Sequence, residues 1–215
     1  MAQRKMIPVG STREPILKPV LITALRPTQM TVGMREVVMR RTHWRTQSSG
    51  KKRAEFLQKH LIPVILGAEG QHYILDHHHL VLALHQEGLQ EMYVTVVADL
   101  SALDNDTFWF VLDQRNWMHP FDEKGVRRSH KAMPRSVREL IDDPYRSLAG
   151  ELRRLGGFAK DTTPYSEFLW ADFLRKRVKT KLIKKDFARA LKTSLNLAKA
   201  KEAEYLPGWC GPSSG

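Results

Sequence analysis

Apolar residues alternate with polar ones in some stretches of this chain and recur every three or four residues in others, and the change of period marks its elements. Residues 15–26, "PILKPVLITALR", read as an extended entry in which Pro15 and Pro19 take edge or turn positions. Thr28 stands as the cap of a helix over "TQMTVGMREVVMRR", which Gly33 weakens, and "TQSSGKK" (46–52) has the composition of a loop. A short helix "RAEFLQKH" precedes "LIPVILG" (61–67), a buried strand that ends at Gly67. "AEGQ" then makes a hairpin-type turn into a second strand, "HYILD". "HHLVLALHQEG" returns to helical spacing and stops at Gly88, and "EMYVTVVADL" (91–100) alternates as a third strand.

Asp104 or Asn105 caps a helix over "DTFWFVLDQRN". Residues 115–134, "RNWMHPFDEKGVRRSHKAMP", show neither period and read as a long functional or mobile loop, since loops of this length are uncommon in compact domains. The last third is helical. "PRSVRELI", "PYRSLAGELRRLG", "PYSEFLWADFLRKRV" and "IKKDFARALKTSLNLAKAKEAEYL" each open on a Pro or polar start, and Gly156-Gly157 separates the second from the third. In the third, Trp170 and Phe173 share a face and are expected in the core.

The pattern implies an α+β fold: a small mixed sheet with helices over residues 1–135, a C-terminal helical lobe over 136–206, and a flexible tail over 207–215. A chain of 215 residues can bury roughly 70% of its surface without staples. The single cysteine, Cys210, excludes an internal disulfide framework and suits a reducing cytoplasm. The apolar stretches are about half a membrane span, and "MAQRKMIPVG" lacks the apolar region of a signal peptide, so a cytoplasmic protein with no membrane partner is expected. The formal net charge of +12 changes the picture more, because it makes nucleic acid, nucleotides or phosphorylated small molecules natural partners.

The most chemical stretch is "YILDHHHLVLAL" (73–84), which sets Asp76, His77, His78 and His79 where a strand turns into a helix. As N-cap, Asp76 would accept the amide hydrogens of His78 or His79. Successive side chains of a helix fan about 100° apart, so at most two of the imidazoles share a ligand. A helix N-terminus also favours a bound phosphate, beside which imidazoles serve as acid and base near pH 7. The histidines are therefore expected to face a polar cavity, with His78, His79 and Asp76 as catalytic groups or as ligands of a divalent ion such as magnesium. A run of solvated surface histidines is the plain alternative. His85 lies on the face of His78 two turns on, where a packing role is the commoner one.

Two basic runs add to this. "RRSHKAMPR" offers Arg127, Arg128, His130 and Lys131 as a phosphate-binding loop or a solvated one. "RKRVKTKLIKK" offers Arg175, Lys176, Arg177, Lys179, Lys181, Lys184 and Lys185 as a grip on a nucleic-acid backbone or a solvated face. Asp143 before Pro144 reads as a helix cap, and Glu167 as an ion-pair residue or a pocket acid.

The order strand, "ILDHHHLVLA", helix, preceded by "LRPTQ" and "LIPVIL", resembles the ParB/sulfiredoxin superfamily, whose turn reads Asp-Gly-x-His-Arg-x-x-Ala. "GVRRSHKAMPRSVREL…DDPYRSLAGELRRLGGFAK…PYSEFLWADFLR" is similar to its ParB-like nuclease branch, over residues 15–178. The resemblance implies that Asp76, His79 and Ala83 take the motif's Asp, His and Ala, and that phosphate or nucleotide binds at His77, His78 and His79 near Gln29. His77 stands at the motif's Gly and Leu80 at its phosphate-binding Arg. The sulfiredoxin cysteine is absent, which removes sulfinate reduction. Three functions follow from the resemblance: a nuclease working through a histidine-rich phosphate or metal site, a nucleotide-dependent phosphotransferase with Glu36 as base, or a non-catalytic nucleotide- or DNA-binding switch.

Overall fold

The computed structural model describes residues 19–47 and 49–212. In chain order the elements are β1 (Pro19–Leu21), β2 (Leu25–Pro27), β3 (Thr31–Val32), α1 (Met34–Thr46), α2 (Gly50–Lys59), β4 (Ile62–Leu66), β5 (His72–Ile74), α3 (His78–Gln86), β6 (Glu91–Asp99) and α4 (Asn105–Gln114). They continue as β7 (Ile141–Asp142), α5 (Pro144–Arg154), α6 (Ser166–Arg175), α7 (Thr180–Lys185) and α8 (Phe187–Lys199). The mixture is α+β. Among the described residues no helix is long and apolar enough to cross a membrane.

The chain divides into two compact units. The first takes the described residues up to Met30, with Val37–Asp122 and Val126–Ile141; the second takes Thr31–Glu36, Glu123–Gly125 and Asp142 onward. The two short segments join the helical unit because Val32 O accepts the Asp143 N–H at 2.8 Å and Glu123 O accepts Arg175 at 2.6 Å.

The first unit is built on a five-stranded mixed sheet, ordered β1-β6-β4-β5-β2. β4 lies central, parallel to β6 and antiparallel to β5, with Val64 opposite Ile74. Its apolar residues Ile62, Val64 and Ile65 are fully buried, as the unbroken apolar run implied. Ile65 and Tyr73 pack with Phe108, Trp109 and Leu112 of α4, whose start is capped by Asp104 accepting the Thr107 N–H at 3.0 Å.

The second unit is a helical cluster. Leu148 and Leu152 of α5, Trp170, Phe173 and Leu174 of α6, and Ala190 and Ala198 of α8 are buried together. Asp143 caps α5 through the Tyr145 N–H at 2.9 Å, with Pro144 at the first helical position, where a missing N–H costs nothing.

Four expectations are corrected. Thr28 caps no helix. Its hydroxyl donates to Ile74 O at 2.6 Å, β3 follows, and α1 begins only at Met34. Asp142 and Ser147 accept the Met34 and Arg35 N–H groups instead, and a Cβ at Gly33 would fall 2.8 Å from the Ser147 nitrogen, so only glycine fits there. "PRSVRELI" makes one 3-10 turn, Val137–Glu139, and then extends as β7, with Ile141 donating to Met30 O at 3.2 Å. The long last helix breaks at Asp186, which leaves helical geometry to cap α8 through the Arg189 N–H at 3.0 Å. The start of the tail is not free: Trp170 donates its indole N–H to Pro207 O at 2.8 Å, and Trp209 packs on the helical core. Pro15 and the last residues, 213–215, lie outside the described residues.

Candidate functional site

β5 ends at Ile74, and three residues later α3 begins. The reversal is made at His77, whose backbone is left-handed (φ 70, ψ 21). That conformation costs an L-residue of order 1 kcal/mol, and the Asp76 carboxylate holds it by accepting the His77 N–H at 2.5 Å. Asp76 is thus not the N-cap, which corrects its expected role. The cap position falls on His77, and no side chain caps α3.

The imidazoles of His78 and His79 are buried, with 2% and 7% exposure, where a polar cavity was expected. His78 Nε2 accepts the Thr28 N–H at 3.1 Å, so its proton sits on Nδ1. Burial pushes this imidazole down to about 3; Asp76 draws it back only in part, and His77 adds to the fall. His78 is therefore neutral at physiological pH and stitches the end of β2 to the start of α3. It is not the group that titrates between pH 5 and 8. Leu80 is fully buried and anchors the helix.

Gln29, one residue past the His78 contact, is buried and forms a short parallel bridge with His119, whose N–H donates to Thr28 O at 2.8 Å. The structure thus brings Gln29, His78, His79 and His119 to one region of the first unit. Among the described residues no three His, Cys, Asp or Glu side chains are grouped to hold a metal. Asp76, His78 and His79 do not form such a set, and His78 spends its Nε2 on Thr28 while Asp76 accepts the His77 N–H.

The basic loop lies against α4. Arg127 pairs with Asp113 at 2.5 Å and Arg128 with Asp122 at 2.5 Å, so both guanidiniums already have carboxylate partners. His130 stacks on Trp109 with ring centroids 5.9 Å apart, Nε2 lies 3.5 Å from Asp106, and Lys131 is exposed. His130, Trp109, Asp106, Asp113, Arg127 and Arg128 border a cavity of about 310 Å³.

Glu36 belongs to the helical unit. Its carboxylate lies 3.4 Å from Arg146, which also pairs with Glu167, while Arg153 approaches Glu167 at 2.6 Å. Arg146 is 91% buried by its 9% side-chain exposure and stands over the Phe168 ring, 5.4 Å from its centroid. The Glu36 carboxylate is thus engaged with a buried guanidinium. Arg175 leaves the nucleic-acid list for a similar reason. It is half-buried against Asp143 at 2.8 Å and Asp172 at 3.1 Å. The other six residues of that run are exposed.

The sequence model of the family described as "Putative ParB-like nuclease" matches residues 18–176. The chain belongs to this family. Its fold is similar to that in the crystal structure of protein Atu1540 from Agrobacterium tumefaciens, with 46% identity, coverage of 92% of this chain and 99% of that one, and a TM-score of 0.85. No curated protein matches.

Within this ParB-like nuclease frame the two departures of the turn acquire a physical meaning. The motif's Gly position needs the left-handed backbone that His77 adopts with help from Asp76. The motif's Arg position is Leu80, which points into the core and offers no charge, so the residues present do not fit the superfamily's phosphate contact at that position. What the turn retains is the helix end itself. Thr28, Arg146 and Arg175 were not legible as they stand, because each is defined by a partner far along the chain: His78, Glu167 and Asp143.

Proposed function

We propose that this ParB-like protein hydrolyses phosphodiesters of nucleic acid at the N-terminus of α3, with His79 as the imidazole that moves a proton at the scissile phosphate. The observation that carries the reading is the start of α3: a nine-residue helix enters through a left-handed residue and no side chain caps it. The leading N–H groups of such an end, with the helix dipole behind them, favour the oxygens of a phosphate. The family description and the +12 charge support a polyanionic substrate.

The three histidines then divide their work. His78 is neutral and fixes the geometry, and His77 supplies the bend. His79, one residue into the helix, takes a proton from attacking water and returns it to the leaving oxygen. Superfamily likeness brings a divalent ion or a nucleotide to mind. Neither enters this reading, because Asp76 and His78 are committed elsewhere and Leu80 replaces the motif's Arg.

Turnover of a dinucleotide tests this directly. His79→Asn should fold, as judged by an unchanged circular-dichroism spectrum, and should lose turnover by at least about 100-fold, the usual worth of a positioned acid–base group. Wild-type rates in the folded variant would remove His79 from the chemistry.

A further inference from the structure

The family match ends at residue 176, and the basic part of the chain begins there. Between Lys176 and Lys201 stand ten basic residues and one acid, Asp186, so this segment holds a net +9 of the formal +12. Asp186 is itself engaged at the α8 cap. The ten basic residues are all exposed. On α8, Arg189, Lys192, Asn196 and Lys199 recur at steps of three and four, which places them in one stripe about 80° wide and about 15 Å long. Lys181, Lys184 and Lys185 continue the charge on α7, which packs beside α8.

The opposite face of α8 is spent. Ala190, Ser194 and Ala198 are buried, and Leu191, Leu195 and Leu197 pack against the helical core. A membrane-surface helix needs an apolar face to lay into lipid, and this one has none to offer. The described exposed face of α7 and α8 also carries no aromatic side chain, so it lacks the stacking platforms that hold single strands. A rigid row of cations without base-reading aromatics suits the regular phosphate spacing of a duplex, which carries one charge per about 1.7 Å of axis.

We infer that α7 and α8 form a sequence-independent docking surface for the phosphate backbone of double-stranded nucleic acid. The inference rests on the reading of the protein as one that acts on nucleic acid, and it assigns duplex binding to a segment that the family match does not include.

Fluorescence anisotropy of a labelled mixed-sequence duplex, followed across a salt series, tests it. Wild type should bind more weakly as salt rises, linearly on a log–log plot. Lys185→Gln combined with Arg189→Gln and Lys192→Gln should lower that slope by about 2 to 3 units, with an unchanged Tm. If the triple variant loses Tm, Lys179→Gln with Lys181→Gln and Lys184→Gln offers a second set on the same patch, with the same expected drop. DNA and RNA duplexes run in parallel tell which backbone is preferred.

An unchanged slope in a folded variant overturns the inference, as does stronger binding to the matching single strand or to phosphatidylserine vesicles. Failure here is distinguishable from failure of the hydrolase reading. Wild type that binds duplex through other residues sinks only the patch, whereas a dinucleotide turned over equally by wild type and His79→Asn sinks only the role of His79.

Discussion

Trp170→Ala should lower the stability of the helical unit by about 3–5 kcal/mol, the range for removing a large aromatic side chain from a core. Trp170 has no exposed surface. Its ring stacks on Phe158 with centroids 4.4 Å apart and meets Phe173 edge-on at 5.8 Å. Its indole N–H is the donor that ties Pro207 O to the core at 2.8 Å. Alanine leaves a cavity where the indole was and a carbonyl without its partner, and both losses add. Trp170→Phe keeps most of the packing and should cost less than half as much. Urea unfolding at constant m-value reads the difference. A loss under about 1 kcal/mol for Trp170→Ala would contradict the burial on which this rests.

The second large effect is a pH dependence. His78 holds its proton at about 3 in the folded chain, against an ordinary value near 6.5 when unfolded. Above pH 6.5 both states are neutral at this residue and it adds no slope. Below that pH the unfolded chain takes up a proton that the folded chain refuses. Stability should therefore fall by about 1.4 kcal/mol per pH unit from His78 as the pH drops from about 6.5 toward 3. His72 and His85 are also lowered by burial, so the contribution of His78 is isolated by comparison with His78→Gln, whose amide oxygen can still accept the Thr28 N–H but does not titrate. Measured between pH 6.5 and 5, above the carboxylate range, the variant should show a slope shallower by about one proton. Parallel curves would mean that His78 charges freely in the folded state.

The elements carried by strong periods and local caps were legible in the sequence: β4, β5, β6, α3, α4 with Asp104, and α5 with Asp143. Elements decided by distant partners were not. Thr28 has the side chain of a helix cap, yet its backbone and hydroxyl are claimed by His78 and Ile74, nearly fifty residues later in the chain. Asp76 has the side chain of a cap as well, but one left-handed residue after it moved the cap position to His77.

The same distinction runs through the site. The "DHHH" turn was found from sequence because titratable groups between two apolar runs have no packing reason to be there. That two of those histidines are buried could not be read from the turn, since the partner of His78 is Thr28, fifty residues earlier in the chain. Arg175 looked like one cation among seven, and only the fold shows that it answers the buried Asp143 carboxylate. The remaining cations of that run do face water, and further cations follow on α8.

The claim that a substrate phosphate seats on the first turn of α3 is tested most directly by amide chemical shifts. A hydrolysis-resistant phosphorothioate dinucleotide titrated into the ¹⁵N-labelled protein should move the His78, His79 and Leu80 amides farthest, because their N–H groups are the proposed donors. Largest shifts in the Arg127–Lys131 loop, with the α3 amides still, would contradict it.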